Sequence, residues 1–308
     1  MPHPSNHKSP LDAALIRERA AEVWKLASPC HLCPRACGAK RWEDEKGFCG
    51  VGRLALVSSA FPHHGEEDCL RGIRGSGTIF LSGCALACIF CQNYELSHYH
   101  EGREETAEAI AAMMMQLQES GCHNINWVTP THVVPHLLDA LALSAERGLR
   151  LPIVYNSGGY DAVETLRLLD GIVDIYMPDF KYGSPEIAER LSDCANYPGT
   201  ARNAVREMYR QVGDLKLDED GFAYRGILIR HLVLPSGLAG TPEIMSFLAL
   251  EISPHTFVNL MGQYRPCFRS DEEPLLRRPI TSREWLEAGD AAYAAGLYRF
   301  DQKNLPFY

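Results

Sequence analysis

From Thr78 onward, short apolar runs of strand length alternate with stretches whose apolar residues recur at helical spacing. Six runs read as strands: Thr78 to Ser82, Ile125 to Thr129, Pro152 to Tyr155, Ile172 to Met177, Ile227 to Leu234 and Thr256 to Met261. Between the first two, residues 104–120 place Ala107, Ile110, Ala111, Met114 and Leu117 on one helical face and stop at Gly121. A second helix spans 133–147 and closes at Gly148; others are predicted over 161–169, 184–192, 197–212, 241–251 and 282–295. Such alternation specifies parallel β/α units, because a helix returns the chain to the same end of the sheet before each new strand. The expected fold is α/β, a partial (β/α)6 barrel with function in the loops at the carboxyl ends of its strands. Residues 214–225, with Asp220-Gly221 between short flanks, read as a hairpin excursion.

The first strand leads into Ser82-Gly83-Cys84-Ala85-Leu86-Ala87-Cys88-Ile89-Phe90-Cys91. Three thiolates in one short loop can each hold one iron of a cubane cluster, where four-cysteine sites saturate all four irons. The remaining iron stays open to chelate the amino and carboxylate groups of an amino acid, the logic of an open catalytic metal position. Gly83 lets the backbone turn beside the cluster. A zinc site closed by His98 or His100 is the competing reading; the loop's place after the first strand of the series favours the cluster.

The Cys-x3-Cys-x-aromatic-Cys arrangement of Cys84, Cys88 and Cys91 resembles the signature of the radical S-adenosylmethionine (SAM) superfamily. That resemblance implies a radical SAM barrel in which a reduced [4Fe–4S] cluster injects an electron into SAM, giving methionine and a 5′-deoxyadenosyl radical that abstracts a hydrogen atom. From about Gly77 to Gln263 the chain resembles, more closely, the activating enzymes of glycyl-radical proteins, in particular uncharacterised relatives of pyruvate formate-lyase activating enzyme. Residues 63–80 (HHGEEDCLRGIRGSGTIF), Cys91-Gln92-Asn93-Tyr94 and Met177-Pro178-Asp179-Phe180-Lys181 carry this likeness. It implies that Asp179 and Lys181 contact SAM, and that Asn156 and Ser157 of Asn156-Ser157-Gly158-Gly159 form a polar loop against it.

Two departures stand out. Where the activating enzymes carry Gly-Gly-Glu-Pro for the SAM amino group, this chain has Trp127-Val128-Thr129-Pro130-Thr131-His132, so Thr129, Thr131 or a backbone carbonyl must substitute. A histidine expected near the last strand is replaced by Gln263 or Tyr264.

Ahead of the barrel, an amphipathic helix from about Pro10 to Leu26 precedes Cys30-x2-Cys33-Pro34-x2-Cys37-x11-Cys49. Four thiolates at this spacing suit a second metal, either tetrahedral zinc or an auxiliary iron–sulfur cluster; buried free thiols are the alternative. Cys69, Cys122, Cys194 and Cys267 are isolated and read as structural. Residues 264–271 and Arg277-Arg278 read as solvated loop, and His132/His136 lack the intervening Glu of a zinc-protease helix. The division expected is 1–76, an N-terminal helix and cysteine-rich extension, and 77–308, the barrel with a C-terminal extension.

Eleven cysteines without a secretory leader point to the cytoplasm and to metal chemistry rather than disulfides. A net charge of −9 argues against broad electrostatic binding to nucleic acid. No apolar run is long enough to span a bilayer, so no membrane partner is expected. The expected activity is that of a radical SAM oxidoreductase acting on a small molecule or, as an activating enzyme, on a protein substrate. Its expected partners are SAM and a reductant such as flavodoxin or ferredoxin. The alternative is a non-enzymatic iron–sulfur protein of electron transfer or regulation.

Overall fold

The structure, a computed structural model, describes residues 11–301. Its centre is one sheet of ten strands: β1 (Ala55–His63), β2 (Ser76–Leu81), β3 (Arg103–Glu105), β4 (Ile125–Val128), β5 (Ile153–Ser157), β6 (Ile175–Pro178), β7 (Lys216–Leu217), β8 (Ala223–Leu232), β9 (Phe257–Met261) and β10 (Arg299–Phe300). Their order is β10-β9-β8-β6-β5-β4-β2-β1-β3, with β7 paired to β8. All six expected strands are present and run parallel, joined at the edge by the two-residue β10. The sheet does not close on itself, which makes it an open, partial barrel.

Strand alternation explains its two faces. Ile125 and Trp127, Ile153 and Tyr155, Ile227 and Ile229 point outward, where helices Ala107–Glu119, Val134–Glu146 and Tyr197–Val212 bury them. Val154, Ile175, Met177 and Leu228 point inward and pack with Leu70, Leu215 and Ala223 as a separate apolar floor. Burial on both faces is why these strands read as nearly unbroken apolar runs.

The hairpin is present, with Leu217 opposite Ala223. β1 has no counterpart among the expected strands; it pairs antiparallel with β2 and β3. Its sequence, ALVSSAFPH, is largely half-exposed and contains Pro62, so it lacks the apolar run that marks the inner strands. The N-terminal helix is Ala13–Lys25, capped by Asp12 through the N–H groups of Ala14 and Leu15. Pro10, where the sequence reading begins that helix, lies outside the described residues. The helix expected over 241–251 is Thr241–Phe247 followed by a π-helical turn, Leu248–Ile252.

Candidate active site

The carboxyl ends of β2, β5 and β6 converge. β2 runs into the cysteine loop through Gly83, at φ +83°, where a Cβ would stand 2.2 Å from the Cys49 carbonyl oxygen. Helix Pro185–Ser192 supports this loop: Ala87 and Ile89 N–H donate to the carbonyls of Ser192 and Leu191. The loop of 264–271, expected to be solvated, packs against the same segment, with Arg269 N–H on Ile89 O and Cys267 Sγ on Phe90 O at 3.3 Å.

Each sulfur of the triad has a hydrogen-bond donor. Leu86 N–H reaches Cys84 Sγ at 3.4 Å, Ser192 Oγ donates to Cys88 Sγ at 3.0 Å, and Asn93 N–H and Ser97 Oγ approach Cys91 Sγ. Sulfur is a poor acceptor as a thiol and a good one as a thiolate, so three sulfurs with directed donors fit the ligand set of a cluster. Burial pushes the Cys84 and Cys91 thiols up, so a metal held there would have to displace their protons.

Opposite the triad lies Lys181, whose ammonium pairs with Asp179 at 2.5 Å. Burial disfavours its charge, but the Asp179 carboxylate outweighs burial and holds the lysine above its ordinary range. Gly158, at the end of β5, brings the two sides together. A Cβ there would lie 3.1 Å from Leu86 Cδ1 of the cysteine loop and 3.7 Å from Lys181 Cε. Asn156 and Asp179 share the inward register of β5 and β6, where Asn156 pairs with Met177.

Ser157 departs from expectation. It alternates to the outer face, donating to Asp161 at 2.6 Å and accepting from Gly159 N–H. Thr131 is similarly engaged, donating to Asp161 at 2.7 Å, as is Tyr155 at 2.9 Å. Asp161, four residues beyond Ser157, thus takes up hydroxyls that the sequence leaves free for SAM. Among the described residues Thr129 has no such partner, and it holds φ +62°, a left-handed conformation costly for a β-branched residue. Tyr264 is buried, donating to Leu276 O at 2.7 Å, whereas Gln263 is exposed.

Two features escape sequence reasoning. The buried Tyr197 hydroxyl accepts Lys181 N–H and lies within hydrogen-bond distance of the Gly158 and Asp179 carbonyls, joining the ends of β5 and β6. Below them Arg230 of β8 grips Glu67 through Nε and Nη2, each at 2.7 Å, and also pairs with Glu66. Asn259 and Asn126 donate to these two carboxylates. The run HHGEE displays Glu66 and Glu67, but nothing in it signals a partner 163 residues away.

Cys30, Cys33 and Cys49 are buried and Cys37 is exposed. Arg41, only 1% exposed, lies among them, donating to Cys49 Sγ at 3.1 Å and to His132 O at 2.7 Å. Among the described residues no three His, Cys, Asp or Glu side chains converge as a single metal ion requires. His132 and His136 contact separate carbonyls, Ser82 O and Arg53 O, and burial lowers them to about 3 and about 4. Among the described residues no helix is long and apolar enough to cross a membrane.

Residues 78–211 match the family model of the radical SAM superfamily. An uncharacterised protein of Methanocaldococcus jannaschii, MJ0674, is 34% identical over 264 residues, which cover 83% of this chain and 71% of that protein. Similar solved structures include a radical SAM methyltransferase from Sphaerobacter thermophilus, 19% identical over 72% of this chain and 66% of its own, with a TM-score of 0.48. Another is anSMEcpe with bound AdoMet, 9% identical over 71% of this chain and 61% of its own, with a TM-score of 0.48. The chain spans less than two thirds of either solved chain.

Proposed function

Because the chain belongs to the radical SAM superfamily, we propose that it reductively cleaves SAM at a [4Fe–4S] cluster on Cys84, Cys88 and Cys91 and couples cleavage to hydrogen-atom abstraction. The observation carrying this reading is the meeting of three strand ends, with donors on every triad sulfur and the Asp179–Lys181 pair across from them. When bound, the cluster supplies one electron to the sulfonium of SAM. The chain's own residues bind and orient. Asp179 suits the ribose diol as an acceptor, Lys181 an anionic group, and Asn156 either role at the inner face. Ser157 supports the turn rather than the ligand. Thr129 is the residue of the Trp127–His132 stretch left to approach the SAM amino group, through its hydroxyl or its carbonyl.

The reading extends to an oxidoreductase that takes its electron from a flavodoxin or ferredoxin in the cytoplasm. Its substrate is a protein or a small molecule; activation of a glycyl-radical enzyme is the form suggested by the Met177–Lys181 stretch. Cys30, Cys33, Cys37 and Cys49 form a second metal site in the N-terminal extension.

The test is 5′-deoxyadenosine formation, by mass spectrometry, from anaerobically reconstituted protein given dithionite and SAM, with Cys88→Ala alongside. Product from the wild type alone supports the proposal. No product from fully loaded protein, with candidate substrates present, defeats it.

A further inference from the structure

All four sulfurs of the N-terminal group receive N–H donors. Leu32 N–H points to Cys30, Arg35 N–H to Cys33, and Ala39 and Phe48 N–H to Cys37, while Cys49 accepts from Arg41. In three cases the donor lies two residues beyond its own cysteine. Leu86 with Cys84 and Asn93 with Cys91 repeat that arrangement in the catalytic triad. Gly47 leaves room for the sulfurs, since a Cβ there would stand 2.4 Å from Cys37 Sγ.

Arg41 supplies a second, independent observation. Its guanidinium is buried, its Nε has no partner, and among the described residues no carboxylate pairs with it. Removing such a cation from water without an anion is strongly unfavourable. The groups around it are His132 O and the sulfurs of Cys49, Cys30 and Cys37. Neutral thiols leave that charge uncompensated; an all-thiolate metal centre, which is anionic, compensates it. A cubane gives every thiolate its own iron, so it does not need the single-point convergence that both cysteine groups lack.

We infer that Cys30, Cys33, Cys37 and Cys49 hold a second [4Fe–4S] cluster with Arg41 as its counter-ion, and that Arg41 also ties this cluster to the catalytic loop. The inference deepens the second-metal reading above and rests on it. Arg41 Nη1 donates to His132 O, and His132 Nε2 donates to Ser82 O at 2.8 Å, two residues before Cys84. Arg35 Nε reaches Ala85 O at 2.9 Å, and the Cys49 carbonyl packs on Gly83. Arg41 is thus a positioning residue shared by both cysteine groups.

Iron and acid-labile sulfide are counted in an anaerobically reconstituted variant with Cys84, Cys88 and Cys91 all changed to Ser, its fold checked by circular dichroism. About four iron and four sulfide per chain are expected to remain. Zinc in their place, or no metal, overturns the assignment. If that variant does not fold, the comparison is wild type, with about eight iron, against Cys33→Ser/Cys37→Ser, with about four; equal counts overturn it. In a redox titration followed by EPR, Arg41→Gln should shift the remaining cluster's midpoint potential downward, and Arg41→Lys should restore part of the shift. An unmoved potential removes the counter-ion role. Failure here leaves SAM cleavage by the wild type untouched, and loss of SAM cleavage leaves the triad-free count untouched, so the two readings fail separately.

Discussion

The hydroxyl of Tyr197 accepts the backbone N–H of Lys181 at 2.9 Å, from a helix that begins 16 residues later in the chain. The same oxygen lies 2.9 Å from Gly158 O and 3.0 Å from Asp179 O. One buried phenol therefore sets the spacing of the two strand ends that face the cysteine triad. Gly159 makes the approach possible: a Cβ there would stand 2.1 Å from Asp179 O.

Tyr197→Phe keeps the ring and removes the joint. Leaving the buried Lys181 N–H without an acceptor costs about 1–3 kcal/mol. A lower urea midpoint with unchanged slope is expected, together with weaker SAM binding at undiminished iron content. Unchanged SAM affinity would mean that the strand ends hold their spacing without it.

Lys181→Met should weaken SAM binding by about tenfold or more, on the order of 1.4 kcal/mol. It also leaves Asp179 unpaired, so part of the loss belongs to the partner. Asp179→Asn/Lys181→Met separates these contributions: a double variant no worse than Lys181→Met alone indicates that the pair acts as a unit. Anaerobic titration calorimetry reads both.

Thr129 sits at φ +62°. A left-handed L-residue costs about 1–2 kcal/mol, partly offset here by the greater chain entropy glycine loses on folding. Thr129→Gly should therefore be neutral or stabilising, by up to about 1 kcal/mol, while SAM affinity falls if the hydroxyl serves the ligand. Calorimetric unfolding and SAM titration of Thr129→Gly beside Thr129→Ser resolve stability from binding, because serine retains the hydroxyl.

His231 is buried between Phe180 O, at 2.7 Å, and Thr241 Oγ1, at 2.9 Å, and burial lowers it from 6.5 to about 4. The unfolded chain therefore takes up this proton first as pH falls. Stability should decline from about pH 6.5 to about pH 4 by up to about 3 kcal/mol from this residue, and no further below. His231→Gln should flatten that part of the urea-derived stability profile; an identical slope would show that the imidazole does not carry it.

The sequence by itself determined the parallel β/α series and the cysteine loop, because both are local. Burial on two faces makes β2, β4, β5, β6, β8 and β9 predominantly apolar, and the three cysteines of the triad fall within eight residues. β1 was illegible, since its pairing with β2 requires no apolar run of its own. Only tertiary structure decided which polar groups face the site. A shift of one position along β5 sends Ser157 to Asp161 while Asn156 stays on the inner register, and no local pattern tells the two apart. Arg230 with Glu67, Tyr197 with Lys181 and Arg41 with His132 are likewise products of chain crossing. Each buries a polar or charged group whose cost is met by a partner from another element, and the fold alone selects that partner.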